Sequence, residues 1–299
     1  MAYRFLRRTV LQLVLLLAVA APPAFAWDRS SVVTAPDGVT LAVQETGDPE
    51  GPTVIFVHGL LGSRLSWDAQ WRDPALQRFR LIAFDLRGHG QSGMPTSPQM
   101  YREGRRWGDD LDAVIRATRA NRPVLVGWSL GAAVITNYLA AYGDDAIAGV
   151  IYAGGVIELK TDQLMPQPTV YERMASADLR THLDGERAFL ALCSHRPPDA
   201  DTFQRMIAAA AMASNVMQNA VHGMNVEADK GLRALRKPIL HVYGAHDALV
   251  RPEASFARAA ALAPQGVLRL YPEAGHAPFA EDPARFDKDL ATFIEAATR

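Results

Sequence analysis

The sequence predicts an α/β fold, with a mostly parallel, doubly wound sheet and a helical cap inserted between its late strands. Short apolar runs alternate with stretches of helical character, which is typical of parallel strands buried on both faces. One long interval, about 156–237, contains no convincing strand and breaks this alternation. The chain has 299 residues, which is enough for one such domain with an insertion.

The elements can be taken in chain order. Alternating stretches, Ser31–Thr34 and Val39–Thr46, flank a Pro-Asp-Gly turn and predict an N-terminal hairpin. Six apolar runs are predicted as strands, the first four of them buried: Thr53–Val57, Arg80–Phe84, Pro123–Val126, Ile147–Ala153, Pro238–Tyr243 and Gly266–Tyr271. The predicted helices include Trp67–Gln77, Asp109–Ala120, Ser129–Tyr142 and, within the cap, Thr202–His222. With no linker or repeat, residues 27–299 are predicted to form one domain.

Residues 1–26 are expected to be a secretory signal peptide. They contain three arginines and no acidic residue, followed by an apolar run of about a dozen residues and a small-x-small site at Ala24–Ala26. The apolar run is too short for a membrane span, which needs about 20 apolar residues. The alternative interpretation is an uncleaved amphipathic anchor. The Arg7-Arg8 pair leaves both the Sec and the twin-arginine routes open. Either route predicts a periplasmic or secreted protein.

Composition and charge exclude several classes of protein. The chain is 49% hydrophobic and 21% charged, which is a globular balance. Its formal net charge of −1 becomes −4 without residues 1–26, so it lacks the basic excess of a nucleic-acid binder. The single cysteine, Cys193, excludes an intrachain disulfide, and it is predicted to be a buried small side chain. No metal or phosphate motif occurs, so no metal and no cofactor are expected.

The sequence Gly127-Trp128-Ser129-Leu130-Gly131 directly follows a predicted strand and opens an alanine-rich helix. In this setting a G-x-S-x-G sequence is a nucleophile elbow. The turn is so tight that the residues two before and two after the serine must lack side chains. It places the hydroxyl at a helix N-terminus, whose positive dipole favours developing negative charge. Ser129 is therefore the predicted nucleophile.

A serine hydroxyl needs a base, and the base needs an acid that fixes its tautomer. Of the eight histidines, only His276 lies between the last predicted strand and the last helix. Asp247 follows the preceding strand. A loop histidine bonded to a carbonyl group and a surface turn aspartate are the alternative interpretations. The order serine, acid, histidine, each after a strand, favours catalytic roles for Asp247 and His276.

The predicted oxyanion hole uses backbone groups. The glycine-containing loop that begins at His58 follows the strand Thr53–Val57, and its glycines allow a backbone N–H to turn toward Ser129. The predicted donors are the N–H groups of Leu60 and Leu130. Three neighbouring residues are candidates for the substrate pocket: His58, Gly59 and Trp128.

Together these segments resemble the α/β-hydrolase superfamily, in its serine-nucleophile, esterase- and lipase-like branch. The resemblance covers essentially all of residues 27–299, and its motifs also include Asp85–Ser92 and Gly275–Pro278. It implies that Asp85, Arg87 and His89 belong to a structural turn outside the site. The serine at the elbow differs from the haloalkane dehalogenase and epoxide hydrolase branches, which place aspartate there.

The resemblance implies acyl transfer to water through an acyl-enzyme, with a carboxylic ester or lactone as substrate. Relatives with the same triad also cleave carbon–carbon bonds or make peracids, as perhydrolases and haloperoxidase-like enzymes do. Others with this fold are non-catalytic ligand-binding proteins. Export argues against cytosolic substrates, and the methionine- and alanine-rich cap favours an apolar acyl part. We therefore expect a small-molecule partner and no nucleic acid, with no stable membrane span once the signal is removed.

Overall fold

The computed structural model describes residues 28–299, so the predicted signal peptide lies outside the described residues. Its centre is an eight-stranded sheet in the order β1-β2-β4-β3-β5-β6-β7-β8. The strands are β1 (Arg29–Thr34), β2 (Thr40–Gly47), β3 (Thr53–Val57), β4 (Arg80–Phe84), β5 (Val124–Trp128), β6 (Gly149–Ala153), β7 (Ile239–Gly244) and β8 (Val267–Tyr271). Within residues 28–299, the β1–β2 and β2–β4 pairs are the only antiparallel strand pairs of this sheet. The predicted mostly parallel sheet is confirmed.

Every residue of β3, β5, β6 and β7 is buried, as expected for strands covered on both faces. The helices are α1 (Asp68–Arg72), α2 (Gln99–Arg102), α3 (Gly104–Ala117), α4 (Leu130–Tyr142), α5 (Pro168–Met174), α6 (Leu179–Ala191), α7 (Ala200–Ala211), α8 (Asn215–Val221), α9 (Ala228–Arg233), α10 (Pro252–Leu262), α11 (Pro278–Glu281) and α12 (Pro283–Ala297). None of the helices in residues 28–299 is long and apolar enough to cross a bilayer.

The five helices α5 to α9 lie between β6 and β7, where the sequence predicts a helical insertion. The single helix predicted over Thr202–His222 is two helices, α7 and α8. The break comes at Ser214, whose hydroxyl accepts the N–H of Met217 and so caps the start of α8. The N–H of Ser214 donates to the carbonyl of Gly88 at 2.7 Å, which ties the break to the turn after β4.

The helix predicted over Trp67–Gln77 is also shorter than expected. A 3₁₀ turn over Arg64–Trp67 leads into α1, which ends at Arg72. Asp73 has an extended backbone, with φ −69° and ψ 118°. Because Pro74 follows, its ring disfavours a helical conformation at Asp73 and ends the helix.

The turn Asp85–Ser92 is built around a fully buried guanidinium. Arg87 Nε and Nη2 each donate to one carboxylate oxygen of Asp110, both at 2.6 Å. Arg87 Nη1 donates to Asp37 at 3.0 Å. These bonds connect the turn to α3 and to the β1–β2 hairpin, so Arg87 has a structural role here.

Replacing Asp110 by asparagine is expected to lower the free energy of unfolding by about 3–5 kcal/mol, because the buried guanidinium loses its bidentate charged partner and keeps only Asp37. Thermal unfolding should then shift down by roughly 10 °C. Asp109→Asn is the matched control, since Asp109 pairs with an exposed arginine. Equal unfolding temperatures for the two variants would contradict a structural role for the Arg87–Asp110 pair.

Candidate active site

The nucleophile elbow joins β5 to α4. Ser129 has φ 52°, in the left-handed region that a residue with a side chain rarely adopts. A Cβ at Gly127 would lie 2.7 Å from the N atom of Ala132, and one at Gly131 would lie 2.2 Å from the carbonyl oxygen of Val57. Both glycines are therefore required by packing, as the motif predicts. The strained turn is held by a bond from the N–H of Ser129 to the carbonyl of Ala153, at 3.0 Å.

Asp247 and His276 form a buried pair on the loops after β7 and β8. His276 Nδ1 and Asp247 Oδ2 are 2.8 Å apart. The other oxygen, Oδ1, accepts the backbone N–H groups of Leu249 at 2.8 Å and Val250 at 2.9 Å. These two bonds fix the plane of the carboxylate, and the carboxylate in turn holds the imidazole with its Nε2 free to act as a base.

The backbone of His276 is also held in place. Trp128 Nε1 donates to the carbonyl oxygen of His276 at 2.9 Å, and the indole packs edge-on against Phe279. Gly154, the residue after β6, has φ 51°, and a Cβ there would lie 2.5 Å from the same oxygen. Residues at the ends of β5 and β6 thus contact the backbone of His276 and hold in place the loop after β8, the histidine loop.

Within residues 28–299, neither Ser129 Oγ nor the buried Nε2 of His276 makes a hydrogen bond. Nε2 is the nitrogen that would accept the serine proton, since Nδ1 is occupied by Asp247. Bonds of this kind are often long in unliganded enzymes and shorten when substrate binds. The structure therefore brings Asp247 and His276 together and leaves one nitrogen for the nucleophile.

The loop after β3, the oxyanion loop, orients the N–H of Leu60, one of the two predicted oxyanion donors. The carbonyl oxygen of Gly59 accepts the N–H of Gly62 at 3.1 Å and lies 2.7 Å from His58 Nδ1. Since a trans peptide directs its C=O and N–H to opposite sides, the N–H of Leu60 points away from this cluster. The N–H groups of Leu60 and Leu130 make no hydrogen bond within the described part of the chain. Both are available to a substrate oxygen.

His58 holds this loop as a neutral side chain. Its Nε2 accepts the backbone N–H of Leu86 at 2.9 Å, so the ring hydrogen is on Nδ1 and is donated to Gly59. Burial lowers the pKa of His58 to about 4, which keeps the imidazole uncharged at neutral pH.

A pocket with about 460 Å³ of open space lies over Ser129. The wall is apolar apart from Ser129, Tyr171 and His222. It combines the oxyanion loop, the elbow, the insertion and the loop after β7: Leu60, Ser129, Leu130, Val156, Leu159, Leu164, Tyr171, Phe189, Val221, His222, Leu249 and Val250.

None of the three residues expected on the pocket wall lies there. His58 is buried behind the oxyanion loop, and Trp128 is turned under the histidine loop by its bond to His276. Gly59 packs tightly against the elbow, because a Cβ on it would lie 3.1 Å from the Cβ of Ser129 and 3.1 Å from the Trp128 ring. The wall residues of the insertion, such as Tyr171 and Phe189, could not be predicted from the sequence, because an apolar helix face indicates core and pocket equally.

A family model of the α/β-hydrolase fold matches residues 52–283. The chain belongs to this family. The solved structure of a candidate aryl esterase from Burkholderia cenocepacia is 60% identical in sequence, with a TM-score of 0.90, covering 90% of this chain and 99% of that one. The bifunctional esterase/perhydrolase DCH of Acinetobacter calcoaceticus is 26% identical over 282 residues, 88% of this chain and 99% of its own.

One further relative matches only part of the chain. The candidate oxidoreductase EphD of Mycobacterium tuberculosis is 36% identical over 129 residues, which is 42% of this α/β-hydrolase chain. The match covers 21% of EphD, so the chain corresponds to about a fifth of that relative's length.

Cys193 is not among the residues that line the pocket of this α/β hydrolase. It is buried, its Sγ lies 3.6 Å from the carbonyl oxygen of Phe189, and burial raises the pKa of its thiol far above the ordinary range. Because the thiolate is the reactive form, Cys193 is an inert packing residue at neutral pH, as the sequence analysis predicts.

Three buried histidines should make the hydrolase fold sensitive to acid. Burial lowers the pKa of His58 to about 4, of His89 to about 3 and of His241 to about 4. The unfolded chain takes up these protons near pH 6.5, whereas the folded chain does not. Stability is therefore full above pH 6.5 and is lost as the pH falls toward 4, by about 1.4 kcal/mol per histidine and pH unit.

Urea unfolding between pH 7.5 and 4.5 measures this dependence. In His241→Phe the slope of unfolding free energy against pH should decrease by the contribution of one histidine, because His241 has no hydrogen bond within the described residues and acts only through burial. An unchanged slope would show that His241 titrates alike in the folded and unfolded chains.

Proposed function

We propose that this protein is a serine hydrolase that cleaves small carboxylic esters through an acyl-enzyme intermediate. One observation carries the proposal: His276 Nδ1 is bonded to Asp247 at 2.8 Å while Nε2 is unpartnered among the described residues, next to the elbow that presents Ser129. The 60%-identical aryl esterase candidate and the Acinetobacter esterase/perhydrolase support an ester substrate.

In the first step, Ser129 Oγ attacks the carbonyl carbon of the ester while its proton passes to His276 Nε2. The carbonyl oxygen becomes an oxyanion and accepts the N–H groups of Leu60 and Leu130. Each donor of this kind is worth about 3 kcal/mol to the transition state. Asp247 remains ionised and stabilises the imidazolium.

The tetrahedral intermediate then collapses. The bond between the carbonyl carbon and the alkoxy oxygen breaks, and the leaving oxygen takes the proton from His276 Nε2. Water next attacks the acyl group on Ser129 and gives a proton to Nε2. Release of the carboxylic acid returns that proton to Ser129 Oγ and regenerates the free enzyme.

The pocket wall supports an apolar substrate. Nine of its twelve residues are aliphatic or phenylalanine side chains, and no Lys, Arg, Asp or Glu is among them. The methionines of the cap do not contribute to this wall: Met217 and Met224 are buried in the core, and Met212 is exposed. We propose an uncharged ester with an apolar acyl or aryl part as the substrate.

A panel of 4-nitrophenyl esters from acetate to octanoate, with phenyl acetate and γ-butyrolactone, tests this proposal. The wild type should hydrolyse at least the short aryl esters, and Ser129→Ala should not. Adding hydrogen peroxide to the acetate reaction measures peracid formation, which tests the perhydrolase alternative. If the wild type raised the rate of no ester above the uncatalysed rate, ester hydrolysis would be excluded and a binding role would be favoured.

We further propose that residues 1–26 direct export of the enzyme. The basic start, the short apolar run and the Ala24–Ala26 site support it. When the full-length chain is expressed in a Gram-negative host, the processed protein should be found in the periplasm with Trp27 as its first residue. Lysine replacement of Arg7 and Arg8 should stop export only on the twin-arginine route. Recovery of the unprocessed chain from the cytosol alone would contradict export.

A further inference from the structure

A short loop of the insertion packs against both loops that carry the Asp247–His276 pair. This docking loop, Cys193–Arg196, lies between α6 and α7. The ring of His195 stacks on the ring of His246, with centroids 3.8 Å apart and planes inclined by 10°. On the other side, a Cβ at Gly275 would lie 2.5 Å from the N atom of His195. His246 and Gly275 immediately precede Asp247 and His276.

One carboxylate fastens this contact. Glu281, the last residue of α11, accepts the N–H of Gly275 on Oε1 at 2.7 Å. Its Oε2 accepts the N–H of His195 at 2.7 Å and that of Arg196 at 3.2 Å. Hydrogen bonds from backbone donors to an ionised carboxylate are stronger than those between neutral groups. Glu281 therefore joins the residue before His276 to the insertion.

A second contact between the same segments is a single ion pair on the surface. Arg196 Nη2 and Glu273 Oε2 are 2.8 Å apart, but both side chains are 70% exposed. Exposed ion pairs contribute little to stability, since water screens them and both side chains lose freedom. The fastening of the docking loop thus depends on Glu281, and Glu273 provides a control on the same surface.

We propose that Glu281 is a positioning residue that couples the insertion to the Asp247–His276 pair. The proposal rests on the hydrolase function proposed above. The insertion supplies pocket residues from α5, α6 and α8, and its docking loop contacts the residues just before the catalytic acid and base. The same element therefore shapes the pocket and holds the imidazole. Displacement of a catalytic group by about 1 Å can lower a rate by about 100-fold.

The test compares Glu281→Ala and Glu281→Gln with the control Glu273→Ala. Turnover of 4-nitrophenyl acetate gives kcat and KM, and proton NMR records the downfield resonance of the His276 Nδ1 hydrogen bonded to Asp247. Glu281→Ala should lower kcat by about tenfold or more with KM changed less than about twofold. The resonance should shift or broaden, whereas Glu273→Ala should match the wild type in all measurements.

The two readouts separate the proposals. The NMR resonance reports the histidine–aspartate geometry without turnover, so it tests the role of Glu281 even if the esters are not substrates. A resonance and kcat in Glu281→Ala equal to those of Glu273→Ala would overturn the proposal. If Glu281→Ala does not fold, the isosteric Glu281→Gln is judged by the same criteria. Both carboxylate oxygens of Glu281 accept backbone N–H groups, and the NH₂ group of glutamine cannot accept them on its side.

Discussion

Replacement of Ser129 by alanine is expected to lower kcat/KM for ester hydrolysis on the order of 10⁵-fold or more, since no other group can form the acyl-enzyme. The residual rate should come from the oxyanion donors and substrate binding alone. The fold should be retained, because the hydroxyl makes no hydrogen bond within the described residues and alanine still fits the elbow. Stopped assays with 4-nitrophenyl acetate, together with circular dichroism, measure both effects.

Ser97→Ala is the matched control for this variant, as Ser97 is exposed and distant in sequence from every site residue. It should keep the wild-type rate. Activity of Ser129→Ala within about tenfold of this control would require a different nucleophile or direct attack by water.

Asp247→Asn is expected to lower kcat/KM by about 10⁴-fold, as loss of the orienting acid does in serine hydrolases generally. The reason lies in the position of the carboxylate. Oδ1 accepts the N–H groups of Leu249 and Val250, so the amide oxygen of asparagine must occupy that side. Its NH₂ group then faces His276 Nδ1. The imidazole must accept that hydrogen, which leaves the proton on Nε2 and removes the base from Ser129.

The control for this variant is Asp145→Asn, whose side chain is 92% exposed. It should leave the rate unchanged. The loss in Asp247→Asn should appear mainly in kcat, with an unfolding temperature near that of the wild type, because the amide retains both backbone bonds. If Asp247→Asn kept more than about a tenth of wild-type kcat, the acid would have to be assigned to another residue.

The sheet and the elbow could be predicted because their signals are contiguous in the sequence. Buried parallel strands are uninterrupted apolar runs. The two elbow positions must be glycine, because a side chain at either one would clash with the adjacent backbone. The loops after β7 and β8 come together through the sheet order, so the positions of Asp247 and His276 follow once those strands are identified.

Features that depend on side-chain direction could not be predicted in the same way. Trp128 precedes Ser129 in the sequence, yet its side chain points under the histidine loop and does not reach the pocket. The break between α7 and α8 depends on Ser214 meeting Gly88, a contact between residues far apart in the chain. Glu281 binds backbone N–H groups of the insertion, and no sequence pattern predicts such a contact.

Covalent labelling with a fluorophosphonate, followed by digestion and mass spectrometry, tests most directly that Ser129 is a nucleophile activated by His276 and Asp247. The folded wild type should carry one adduct, on the peptide that contains Ser129. Labelling should be absent in Ser129→Ala, much slower in Asp247→Asn and lost on unfolding. An unlabelled folded protein, or an adduct on a different serine, would contradict the catalytic site described above.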